Sequence, residues 1–109
     1  MKNITLDLSE LIEEGKTDSI SGRKFGEGYA KKIELVKNIK QGKTFIIIID
    51  PEKIKAINDS FWKGFFSAAF QELKSKEQVN SHFIFETDNF YTSLIDKNLT
   101  ILDSIFQQA

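Results

Sequence analysis

Cysteine is absent from this 109-residue chain, and with it go disulfides, thiolate nucleophiles and the common structural zinc sites. That composition suits a reducing compartment. Histidine occurs once, as His82. No serine stands in a Gly-x-Ser-x-Gly elbow to join it, so a Ser-His-Asp triad has no framework. Asp7, Asp50 and Asp59 can gather at strand ends, but no His or Cys accompanies them and calcium-loop spacing is missing. The glycines of Gly22-Arg23-Lys24-Phe25-Gly26-Glu27-Gly28 match neither the dinucleotide fingerprint nor the P-loop. No catalytic residue, metal or cofactor is assigned, and the chain reads as a non-enzyme.

Long apolar runs are missing as well. The longest, Phe45 to Ile49, falls far short of the about 20 residues that cross a bilayer. Asp7 interrupts the N-terminal stretch where a signal peptide would stay apolar. The expectation is a cytoplasmic protein without a membrane role. Nor is there a basic excess: 15 Lys and Arg stand against 16 Asp and Glu, for a net charge of −1. Nucleic-acid binding normally needs such an excess to neutralise phosphates. Lys31, Lys32, Lys37, Lys40 and Lys43 do cluster, but Glu27 and Glu34 interleave with them, which describes a solvated helix face.

What remains is apolar residues at 40% of the chain and ten phenylalanines, enough for one filled core and one domain over residues 1–109. No repeat or linker divides it. Ile4, Leu6 and Leu8 alternate with polar residues as in a half-buried strand. Ser9 to Glu14 reads as a short helical turn and Glu14 to Asp18 as a loop. Ser21 is placed to cap a helix whose apolar face is Phe25, Tyr29, Ile33 and Val36. Gly26 and Gly28 each weaken that helix by about 1 kcal/mol, so packing against a sheet is expected to compensate. Gln41-Gly42-Lys43 stops it.

Thr44 to Asp50 is the clearest element. Phe45 and four successive isoleucines read as a central strand covered on both faces, either by helices on both sides or by a partner that supplies one layer. A connection follows, with Ile54 and Ile57 inward and room for a short strand. Asn58, Asp59 or Ser60 can cap the next helix, which runs to about Lys76. His82 to Glu86 is a further short strand, and Asp88 caps a last helical region, in one piece or in two broken at Asn98, carrying Tyr91, Leu94, Ile95, Leu99, Leu102, Ile105 and Phe106. The order strand, helix, strand, helix, strand, helix predicts a small single-domain α/β fold, a mixed sheet with helices packed on it.

The helix from Ser60 stands out. At about 100° per residue its apolar members span roughly 200°, twice the arc a one-sided surface helix needs. Phe61, Trp62, Phe65, Phe66 and Phe70 are therefore expected to leave apolar surface for an interface. Arg23 is the only arginine. It sits in a first helical turn near Ser21, where open amides and a guanidinium fork suit an anion. A salt bridge within the fold is the alternative.

The run Ile49-Asp50-Pro51-Glu52-Lys53-Ile54-Lys55-Ala56-Ile57-Asn58-Asp59-Ser60-Phe61 resembles the STAS domain of anti-sigma factor antagonists and sulfate-transporter tails. It is more similar to the STAS-like family of unknown function, through Ser60-Phe61 and Ser21-Gly22-Arg23. The resemblance runs from the first strand to about Lys76. It implies bacterial-type signalling and a partner that is a histidine-kinase-like ATPase, with Ser60 the position phosphorylated in the antagonists. Those proteins have serine before that position and glycine after it, where this chain has Asp59 and Phe61. The functional expectation is a non-catalytic regulatory domain that docks onto a protein, with Ser21, Arg23 and Asp59 as anion or partner contacts. The alternative is a small phosphate- or nucleotide-binding domain, or an enzyme, using the helix starts around Arg23 and Ser60. Homo-oligomerisation through the aromatic helix is a third option.

Overall fold

The β-branched and aromatic run beginning at Thr44 forms the middle strand of a three-stranded sheet in the computed structural model, which describes residues 3–12 and 19–107. In chain order the elements are β1 (Asn3–Asp7), a 3-10 turn (Leu8–Leu11), β2 (Ser19–Ile20), α1 (Arg23–Lys32), α2 (Leu35–Lys40) and β3 (Thr44–Ile48). They continue with β4 (Ala56–Ile57), α3 (Asp59–Leu73), α4 (Lys76–Asn80), β5 (Phe83–Glu86) and α5 (Asn89–Gln107). The sheet order is β1-β3-β5, and β2 pairs with β4 as a second, two-stranded ribbon. The expected α/β domain forms, with every strand pairing parallel rather than mixed. The loop expected over Glu14–Asp18 lies outside the described residues, as do Glu13 and Glu14 at the end of the expected turn.

Adjacent parallel strands taken in sequence order have a simple consequence. Right-handed crossovers progressing in one direction put successive helices on the same face. Leu6, Phe45, Ile47 and Phe83 on that face are all buried. The alternate residues are not: Asn3, Thr5, Ile84 and Glu86 are exposed, and Thr44, Ile46 and Ile48 are half-buried. The expectation of helices on both sides is thus corrected. Described helices cover one face only.

α3 occupies the middle of the helical layer. On one flank Phe61 and Phe65 meet Tyr29 of α1; on the other Phe70 stacks on Phe106 of α5 at 5.7 Å. Beneath, Phe66 lies edge-on to Phe83 at 5.1 Å and to Phe85 at 6.4 Å. A helix hemmed in on three sides needs a wide apolar arc. That accounts for the roughly 200° read from the sequence without any outside partner.

The helix expected from Ser21 to Gly42 is two helices. Glu34 takes a left-handed conformation (φ 53°) between α1 and α2. The stop at Gly42 is as expected: with φ 76°, its N–H donates to the Ile39 carbonyl and that of Lys43 to Asn38, a Schellman closure. Gly26 is compensated by α3, not by the sheet. A Cβ there would collide with the Phe61 carbonyl, and one at Gly64 would strike the Arg23 carbonyl. The two glycines let α1 and α3 cross with their backbones nearly touching. α4, capped by Ser75, and the two-residue strand β2 had no counterpart in the sequence reading.

Candidate functional site

Two regions concentrate the features that can recognise another molecule: the paired starts of α1 and α3, and the open face of the sheet.

The β2–β4 ribbon brings the helix starts together, because each of its strands leads directly into one helix. Asn58 caps α3, its Oδ1 accepting from the Ser60 N–H at 2.9 Å. Ser60 Oγ donates to the same oxygen at 2.9 Å and accepts from the Gly22 N–H at 3.1 Å. Ser60 is therefore the tie between the two helices, half-buried and fully engaged. Ser21 does not cap α1. The N-cap is Gly22, with no side-chain cap, and Ser21 is exposed.

Arg23 points to solvent and pairs with Glu27 of its own helix, Nε to Oε2 at 3.5 Å, so the intramolecular alternative is the one observed. Asp59 is likewise committed. Its Oδ1 accepts from Asn98 Nδ2 at 2.9 Å, and Lys97 Nζ lies 3.9 Å from Oδ2. Asn98, at which the last helical region could have broken, lies fully buried within an unbroken α5; its contact with Asp59 was missed by sequence reasoning, and its position inside the apolar arc of α5 was the available signal. The structure brings Ser21, Arg23, Asp59 and Ser60 to one end of the fold, but spends Asp59 and Ser60 on holding it together.

The expected interface residues need a correction. Phe61, Trp62, Phe65, Phe66 and Phe70 are each 0% exposed in one subunit. They are core, for the reason given above: neighbours on three sides seal the helix. Asp7 and Asp50 serve turns, their carboxylates accepting from the Ser9 and Glu52 N–H groups, and the three aspartates do not gather into a metal-holding cluster. His82 is half-exposed at a strand start, with Nδ1 3.0 Å from the Lys43 carbonyl.

The open sheet face is built from register. One row across it is Thr5–Ile46–Ile84, and the next, toward the strand C-termini, is Asp7–Ile48–Glu86. Ile84 remains 49% exposed. The face is thus an apolar patch of three isoleucines, flanked in its C-terminal row by Asp7, which caps the following turn, and by the exposed Glu86. A separate groove of about 430 Å³ lies on the outer side of the helical layer, floored by Ala30, Leu35, Val36, Gly64 and Ala68. Charges of both signs rim it, including Glu27, Lys31 and Glu34.

Both tyrosines hold their protons tightly. Burial pushes the Tyr29 hydroxyl up to about 12, with the Glu10 and Asp7 carboxylates adding to it. Burial, then the charge of Asp88, raises Tyr91, whose hydroxyl donates to the Ile54 carbonyl at 3.0 Å. Among the described residues no helix is long and apolar enough to cross a membrane, and none form a cluster of three or more His, Asp or Glu that could hold a metal ion. Comparison with family models, curated proteins and solved structures finds no match to this chain.

Proposed function

We propose that this chain is a non-catalytic regulatory domain of the STAS-like kind that works by docking onto another protein, and that its docking surface is the open face of the sheet. One observation carries the reading. All-parallel sheets are found with both faces covered, because their strands bury apolar side chains on each side. Here Ile46, Ile48 and Ile84 stand on a face that no described helix covers. The aromatic helix, which first suggested an interface, plays no part in this argument. The sequence resemblance adds a phosphorylation switch at Ser60: a phosphoryl group of about −1.5 to −2 charge would break the tie to Gly22 and crowd Asp59.

Affinity capture from the source cells tests the reading, using the wild-type chain, Ile84→Lys and Arg23→Ala. A specific protein retained by wild type and Arg23→Ala, and lost by a folded Ile84→Lys, is the expected result. Equal capture by all three, or none, overturns it. Thermal-shift screening against nucleotides and phosphate esters covers the ligand-binding alternative. A saturable rise of several degrees, abolished by Arg23→Ala, would establish that alternative instead.

A further inference from the structure

The size and charge of the open face say what kind of molecule covers it. The outer strands β1 and β5 are two spacings apart, about 10 Å, which is the diameter of one α-helix. Five residues of β3 run about 16 Å, matched by about eleven residues of helix, or three turns. We propose that the open face takes a single amphipathic helix presented by a partner protein, with apolar residues on Ile46, Ile48 and Ile84 and lysine or arginine at the end lying over Asp7 and Glu86. This rests on the docking reading above and names the partner's chemistry.

Charge sets the orientation and the basic end. Asp7 and Glu86 flank Ile48 in one row; Asp7 Oδ1 is held by the Ser9 N–H, which leaves Glu86 as the carboxylate open to a cation. Glu86 is exposed and has no ion pair among the described residues. At the other end of the face stand Asn3, Thr44 and His82, none of them acidic. A helix with its basic end over the strand C-termini gains a pairing with Glu86, whereas one with an acidic end there meets like charge.

A second copy of this chain fits less well. The rows Asn3–Thr44, Thr5–Ile46–Ile84 and Asp7–Ile48–Glu86 contain no Lys or Arg, so a copy brings neither to the exposed carboxylate of Glu86. An amphipathic helix laid on an apolar surface is a common recognition mode, and one from another protein can carry that cation.

The test is a titration of the full isotope-labelled chain, followed by amide NMR. The probes are two synthetic amphipathic peptides of the same leucine pattern, one ending in lysines and one in glutamates. The lysine-ended peptide is expected to shift the amides of Ile46, Ile48 and Ile84, and to bind at least about tenfold more tightly than the other. Ile84→Lys should weaken it at least about tenfold and Glu86→Lys about three- to fivefold; both positions are exposed, so circular dichroism should show folded variants. Equal binding of the two peptides, shifts confined to the groove beside Gly64, or dimerisation by light scattering that protects Ile84 would each overturn the inference. A photo-crosslinker at position 84, used in the source cells, separates the two claims. Crosslinks to a non-helical surface of a partner sink the helix while docking stands; no crosslinked protein at all sinks both.

Discussion

Ser60 shows how one hydroxyl serves two helices. It bonds Asn58 within its own helix start and the Gly22 amide across to the other. Ser60→Ala leaves that amide without its partner and should lower stability by about 1 kcal/mol. Asn58→Ala removes the cap and should cost about as much. Because the two side chains share a hydrogen bond, the double variant should lose less than the sum of the single losses, as a double-mutant cycle by urea denaturation would measure. The two tyrosines make a separate prediction. The folded chain holds the Tyr29 proton more tightly than the unfolded chain, whose tyrosine titrates near 10. Its contribution to stability is therefore intact below about pH 10 and lost as pH climbs toward 12. Absorbance titration should show both tyrosines ionising above the ordinary range, together with unfolding.

The α1–α3 crossing rests on backbone proximity that only glycine permits. Gly26→Ala and Gly64→Ala push a methyl into the Phe61 and Arg23 carbonyls, and each should destabilise by at least about 3 kcal/mol, the upper end for overpacking. Gly28, two residues along, has nothing within 4 Å of where its Cβ would sit. Gly28→Ala should stabilise by up to about 1 kcal/mol. Thermal unfolding of the three variants distinguishes a packing crossing from a merely flexible helix, which would make all three stabilising. The sequence treated Gly26 and Gly28 alike. Helix periodicity records which residues share a face, not which points on that face another backbone approaches.

The described residues share a single core, with α3 at its centre. Trp62 is the only tryptophan and is fully buried within it, so its emission should report global unfolding. Fluorescence and far-ultraviolet circular dichroism are expected to give coincident denaturation curves. A separate earlier transition in circular dichroism would mean that α5 or the sheet unfolds on its own.

Much of this was legible in the residues. The alternation at Ile4, Leu6 and Leu8, the isoleucine run, the Asp88 cap and the Gly42 stop are local signals, and short-range sterics and hydrogen bonding determine them wherever the chain goes. The break at Glu34 was not legible, since neither proline nor glycine marks it. The burial of the aromatic helix was not legible either, because an apolar arc of roughly 200° describes an interface helix and a central helix equally well. Sequence alone determined the α/β class and the type of the longer elements, through periodicity and capping. Tertiary structure alone decided that α1 and α5 would flank α3 and that one sheet face would stay open. Both depend on strand order and crossover hand, which are properties of the assembled chain and of no single segment.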